Sequence, residues 1–344
     1  MYYFANDYSE GAHKKVLEAL IKTNYLQTPG YGLDEYSSAA SNKLKNICQN
    51  NDLDIHFVSG GTQANRLCLT AFLRPHEAII CPNSGHINVH ETGAIEASGH
   101  KIIAVKGENG KISPHEILEV LRVHSDEHMV KPRLVFITDA TEIGTIYTKE
   151  ELEAIAKVCH DNNLLLYLDG ARLANALVAS NNNLSMADIT ELVDAFYLGG
   201  TKNGLLFGEA IIIKNPELKK DFRYAIKQNG ALLAKGRILG LQFDALLADD
   251  LYLKNAAFAN KCAQAIQECL KNLNVDFFIE STTNQIFPIM HNDIIAKLRE
   301  EFVFLDWEKI DENYTAVRFV CSWATKEDEV QHLIAKLNSI YAHQ

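Results

Sequence analysis

From about residue 50 to residue 215, short β-rich apolar runs alternate with segments of helical spacing, and this alternation constrains the fold most. Strand candidates are Ile55 to Val58, Ala78 to Cys81, Ile102 to Val105, Leu134 to Thr138, Leu164 to Leu168, Ala195 to Leu198 and Ala210 to Ile213. Gln63 to Leu73, Pro114 to Val123 and Lys149 to Asn162 carry helical spacing between them. Such βα units imply an α/β fold, a mostly parallel sheet with helices on both faces. Beyond about residue 235 the pattern changes. Ile238 to Leu247 and Lys254 to Leu273 read as long helices, followed by strand-like Asp276 to Ile279 and Ala316 to Cys321 and a final helix, Glu327 to Tyr341. The expected division is a large domain over residues 15–235 and a smaller α+β domain over 236–344, with residues 1–14 folding back onto it. A chain of 344 residues is long enough for two domains.

Leu164 to Leu168 is too apolar for an exposed loop and reads as a buried strand. It ends in Asp169, where open α/β sheets bind their ligands. The next apolar run, Ala195 to Leu198, delivers Lys202 within Gly199-Gly200-Thr201-Lys202-Asn203-Gly204. Glycines there let the backbone approach a ligand closely. An acid and a lysine at the ends of successive strands suit pyridoxal phosphate: the carboxylate holds the pyridinium nitrogen and the amine forms a Schiff base. Taken singly, a strand-end acid also serves as a helix cap, and a lysine between glycines also makes a surface turn.

Composition narrows the alternatives. With 47% hydrophobic and 22% charged residues the chain supports a sizeable core. A net charge of −11 argues against a nucleic-acid partner, which needs a basic surface. The seven cysteines lack CxxC spacing and sit mostly in apolar stretches, as expected of reduced thiols in a cytoplasmic protein. No signal-peptide pattern opens the sequence, and no apolar run is long enough to span a bilayer, so no membrane association is expected.

Further candidates surround the pair. Ser59-Gly60-Gly61-Thr62 joins a strand to a helix start, either an ordinary capped turn or a phosphate seat built from free N–H groups and the helix dipole. It is neither a P-loop nor a dinucleotide fingerprint. His86, in Ser84-Gly85-His86, follows the next strand with His90 and Glu91 close behind, suited to stacking on a cofactor ring or to proton transfer. A metal is not expected, because His-x-x-x-His-Glu is not a metal-binding spacing and no other ligand cluster supports it. Arg318 lies inside an apolar strand, where it needs either a salt-bridge partner or a ligand carboxylate. Lys235 and Arg237 form a small basic spot that faces solvent or reaches a cofactor phosphate, including one across a subunit interface.

The succession Ser59-Gly60-Gly61-Thr62, His86 with Glu91-Thr92-Gly93-Ala94, Ala140-Thr141-Glu142-Ile143-Gly144, Asp169-Gly170-Ala171-Arg172 and Gly199 to Gly204 resembles the low-specificity L-threonine aldolases. These are pyridoxal-phosphate enzymes of the β-eliminating lyase group, with the type I aspartate aminotransferase fold. The likeness extends to Phe4-Ala5-Asn6-Asp7-Tyr8-Ser9, Tyr31-Gly32 and Arg318 to Trp323. The resemblance implies retro-aldol cleavage of L-threonine, L-allo-threonine and related L-3-hydroxy amino acids to glycine and an aldehyde. Another pyridoxal-phosphate lyase reaction, or transamination, would use the same pair.

By the resemblance, Lys202 is the Schiff-base lysine, Asp169 the ring-nitrogen partner and His86 the stacking residue. Gly60, Gly61, Thr62, Thr201, Arg172 and Lys235 fall to the cofactor. Arg172 and Arg318 would hold the substrate carboxylate, with Asn6, Ser9, Tyr31, Glu91 and Glu142 also on the substrate side. The chain departs from many relatives in carrying Asn6 for a serine, Glu142 for a second histidine, and the Leu233 to Arg237 region for a Gly-Gly-Gly-Met-Arg segment. The base for the β-hydroxyl is left among His86, Glu91, Glu142 and an ordered water. The resemblance also implies a homotetramer, a dimer of dimers with shared active sites, in which Tyr31 or Lys235 comes from a neighbour.

Overall fold

The structure is a computed structural model that describes residues 1–342. Its strands are β1 (Tyr2–Tyr3), β2 (Asp54–Val58), β3 (Glu77–Pro82), β4 (Ile102–Val105), β5 (Lys131–Thr138), β6 (Leu165–Gly170), β7 (Ala195–Gly199), β8 (Glu209–Ile213), β9 (Phe277–Ile279), β10 (Gln285–His291), β11 (Phe302–Val303), β12 (Leu305–Lys309) and β13 (Tyr314–Val320). Seven of them form one sheet in the order β2-β8-β7-β6-β5-β3-β4. Only β8 runs against its neighbours; the remaining pairings are parallel. All six positions of β6 and all five of β7 are buried, as a sheet covered on both faces requires. The chain steps outward from β3 to β4 and then returns to β5 on the other side of β3. The strand order therefore reverses at the β3/β5 boundary, where open α/β sheets place their ligand crevice.

Local chemistry fixes the flanking helices. Pro114–Val123 and Lys149–Asp161 each begin with a capping box, Ser113 with Glu116 and Thr148 with Glu151. Gly61–Phe72 is different: its N-cap, Gly60, supplies no side-chain cap, so its first N–H groups remain available. Gly199 permits the ends of β6 and β7 to close, because a Cβ there would collide with the Ala171 carbonyl.

The C-terminal sheet is antiparallel, β12-β13-β10-β9, and the opening strand β1 pairs in parallel with β11. Phe4 completes the core of that region with Phe319, Phe302 and Leu333, so the first residues pack on the C-terminal part. The change of core falls later than residue 235. Phe243, Leu246, Tyr252 and Ala256 belong to the core of the large sheet, whereas Cys262, Ile266 and Leu270 belong to the C-terminal core. The single helix Leu251–Asn272 thus spans both. All seven cysteines are free and buried, and no helix among the described residues is long and apolar enough to cross a membrane.

Candidate active site

A cavity of about 850 Å³ opens over the C-terminal ends of the central strands. Gly60, Gly61 and Thr62 line it from the β2 turn, His86 from β3, Glu142 from β5, and Asp169 and Arg172 from β6. Thr201 and Lys202 line it from β7, and Arg318 reaches it from β13 in the C-terminal sheet.

Asp169 is 1% exposed and held by three donors. Tyr197 Oη donates to Oδ1 at 2.5 Å, the Ala171 amide to Oδ1 at 3.0 Å, and Asn65 Nδ2 to Oδ2 at 2.8 Å. Asn65 donates equally to Glu91 Oε1 at 2.8 Å, and the same oxygen lies 2.8 Å from His86 Nδ1. The result is a continuous polar chain, His86–Glu91–Asn65–Asp169–Tyr197, with the three central groups buried. Burial works against a charged His86 imidazole, yet the bond from Glu91 and the charge of Asp169 hold its pKa above the ordinary value. The glycine at 61 is explained here, since a Cβ would sit 2.9 Å from the Tyr197 hydroxyl that steadies Asp169.

Lys202 sits on the short turn Thr201–Asn203 after β7. Burial and the nearby Arg172 guanidinium lower its pKa, against the raising influence of Asp7, Asp169 and Glu209. Among the described residues none hydrogen-bonds its amine. Its turn is clamped from the start of β8: Glu209 accepts from the Thr201 hydroxyl at 2.7 Å and from the Gly200 amide at 3.0 Å. Burial pushes the Glu209 carboxyl up to about 7.

The two arginines differ. Arg172 is gripped by the buried Asp7 through Nε at 2.7 Å and Nη2 at 3.1 Å, and Asn284 donates to the same carboxylate at 2.9 Å. Arg318 has no carboxylate partner among the described residues. Its contacts are long, 3.5 Å to Gln285 Oε1 and 3.4 Å to the Ala5 carbonyl, and its buried Nε has no partner. Of the two alternatives left open by the sequence, no salt bridge forms to Arg318 among the described residues.

Residues 13–293 match the family described as beta-eliminating lyase. The chain belongs to that family. The low specificity L-threonine aldolase of Pseudomonas sp. (strain NCIMB 10558) is 33% identical over 345 residues, which cover 98% of this chain and 97% of the relative. A solved structure of Leishmania major threonine aldolase matches with a TM-score of 0.98 at 43% identity, covering 99% of this chain and 100% of that one. The histidinol-phosphate aminotransferase from Clostridium acetobutylicum, only 14% identical, shares the fold with a TM-score of 0.75 over 100% of both chains. The fold is thus the type I fold of pyridoxal-phosphate transferases, and family and fold together indicate pyridoxal 5′-phosphate as the cofactor.

The residues present fit that group. An uncapped helix N-terminus with Gly60 and Gly61 gives a cradle for a phosphate, and the exposed Thr62 lies beside it. Asp169 offers a fixed, buried carboxylate, and Lys202 an amine without a partner.

Other residues expected at the site are placed elsewhere. Asn6 accepts from the Tyr8 amide at 2.9 Å and the Ser9 hydroxyl at 3.0 Å, a local turn, and neither Asn6 nor Ser9 lines the cavity. The opening segment contributes Asp7, through Arg172, and Tyr8, on the cavity wall. Glu91 is buried behind His86 and does not face the cavity, whereas Glu142 does, accepting from the His86 amide at 2.8 Å and the Thr138 hydroxyl at 2.9 Å. Thr201 lines the cavity, but its hydroxyl is directed to Glu209. Tyr31 and Lys235 are exposed on adjoining loops, tied by the Tyr31 amide to the Ala234 carbonyl at 3.0 Å, and stand outside the cavity of their own chain. Asn65, Tyr197 and Glu209 went unnoticed in the sequence. Glu209 had a signal, a carboxylate opening the apolar run Ala210 to Ile213, whereas Asn65 and Tyr197 sit in segments that read as ordinary helix and core strand.

Proposed function

We propose that the protein cleaves L-threonine, L-allo-threonine and related L-3-hydroxy amino acids to glycine and an aldehyde, using pyridoxal 5′-phosphate. The observation that carries this reading is the convergence on one cavity of Lys202 without a partner, Asp169 held by three donors and Arg318 without a carboxylate. The relatives named threonine aldolase, matched over nearly the whole chain, support the same reaction.

The bound cofactor supplies an electron sink for the bond cleaved at Cα. Lys202 would provide the amine that anchors it. Asp169 keeps a proton on the ring nitrogen, and the bonds from Tyr197, Asn65 and the Ala171 amide stop that carboxylate from turning away. His86, steered by Glu91, would support the ring. Gly60, Gly61 and Thr62 take the phosphate. Arg318 takes the substrate carboxylate, and Arg172, with two nitrogens committed to Asp7, adds its remaining Nη1. Fixing the carboxylate orients the Cα–Cβ bond for cleavage. Glu142, at the cavity wall beside His86, handles the β-hydroxyl proton. Burial raises the Glu142 pKa above the ordinary carboxylate value, the direction that favours a proton-carrying role.

The enzyme works in the cytoplasm as a dimer of dimers, and Tyr31 and Lys235 serve a neighbour's cavity. Exposed Tyr25, Leu26, Leu33 and Leu233 on the same loops support such an interface. The reaction is tested by incubating the purified protein with L-threonine or L-allo-threonine. Acetaldehyde and glycine in equal amounts are expected; ammonia with a keto acid and no aldehyde contradicts the proposal. Sedimentation of the purified protein as a monomer contradicts the assembly.

A further inference from the structure

We propose that Trp307 is a positioning residue for substrate recognition: its indole face holds Arg318 in place and keeps that guanidinium free for the substrate carboxylate. The inference rests on the carboxylate-binding role given to Arg318 above. Strand β12 pairs with β13, but the register shifts between Asp306 and Glu308, so Trp307 is the extra residue of a β-bulge. A bulge re-aims a side chain, and such irregularities gather beside active sites. Here it brings Trp307 to the cavity wall. The Arg318 guanidinium carbon lies 5.4 Å from the indole centroid, inside cation–π range. Phe287 packs on the indole edge to face, with ring centroids 5.0 Å apart.

This arrangement answers a specific problem. A half-buried arginine is ordinarily secured by a carboxylate, as Asp7 secures Arg172. A carboxylate beside Arg318 would compete with the substrate for the same donors. An aromatic face attracts the cation without accepting its in-plane N–H bonds. Trp307 therefore restrains the guanidinium and leaves its N–H groups to point at a ligand, in keeping with the orphaned Nε and the two long contacts.

The test uses the cofactor-loaded enzyme and Trp307→Leu, Trp307→Phe and Trp307→Ala. Trp307→Leu should raise KM for L-threonine about tenfold, the scale of a partly desolvated cation–π contact. The kcat should change less than KM, and Trp307→Phe should recover most of the loss. Glycine and glycinamide, followed by the change they cause in the visible absorption, supply a readout that does not depend on turnover. Trp307→Leu should weaken glycine binding but leave glycinamide, which lacks the carboxylate, nearly unchanged. An unchanged KM in Trp307→Leu and Trp307→Ala, or equal weakening of glycine and glycinamide, overturns the inference. A wild-type protein with no visible band or no aldehyde product would instead overturn the function proposed above.

Discussion

The lining of the cavity falls into a closed wall around Asp169 and an open wall of Lys202 and Arg318, built on opposite principles. On the closed wall the groups bond one another in series: His86 with Glu91, Glu91 with Asn65, Asn65 with Asp169, Asp169 with Tyr197, leaving Glu91 Oε2 as its one oxygen without a partner among the described residues. On the open wall, Lys202 after β7 and Arg318 on β13 have no carboxylate bonded to either among the described residues. Satisfied groups are rigid and expensive to disturb, while unsatisfied ones cost stability and are retained for a ligand. In the function proposed above, the closed wall would hold the cofactor ring and the open wall would meet the groups that form and break bonds.

The contrast predicts that variants on the two walls fail differently. The largest effect belongs to the open wall. Lys202→Met should abolish the visible band and cut turnover on the order of 10⁶-fold, the scale of removing a covalent nucleophile. Its folded pKa lies below the usual 10.5, so the charged amine opposes folding, and the apparent Tm of the apoprotein should not fall. A large loss of Tm would blur the distinction between the walls.

Asp169→Asn comes next. The band should remain, because Lys202 is untouched, while turnover drops roughly 10⁴-fold, as when a buried carboxylate that fixes a catalytic ring becomes an amide. Activity close to wild type would remove Asp169 from the mechanism. Asn65→Ala breaks the middle of the closed wall and should destabilise the fold by roughly 1–3 kcal/mol in denaturant titration, because two buried carboxylates each lose a donor. A neutral result would mean that the polar chain is not structural.

The smallest effect depends on pH. The folded pKa of His86 is raised above 6.5, so its stabilisation is full below that value and disappears as pH climbs through the folded pKa. The stability difference between wild type and Glu91→Gln should therefore be greatest below about pH 6.5 and shrink at higher pH. A difference that grows with pH would contradict the ion pair.

Much of the closed wall's scaffold was legible in the sequence. Apolar runs located the large sheet: Leu164 to Leu168 and Ala195 to Leu198 match β6 and β7 to within two residues. Asp169 and Lys202 followed from their positions at strand ends. What escaped depends on contacts between distant segments. Asn65 is an ordinary helical amide until β6 and the His86 turn bring two carboxylates to it. Glu91 read as a cavity residue because sequence proximity to His86 does not reveal which side of the imidazole it occupies. The helices Lys14–Thr23 and Glu35–Ile47 were masked by the turn-rich stretch around Pro29 between them. Trp307 could not be found by pattern, since a bulge breaks the two-residue period on which strand reading relies.

The central claim is that Lys202 is the amine that binds the cofactor. Borohydride reduction of the purified enzyme, followed by peptide mapping, tests it directly. The account predicts loss of the visible band and a single reduced pyridoxyl adduct on Lys202. A band that survives reduction, or an adduct on any other lysine with Lys202 unmodified, would contradict it.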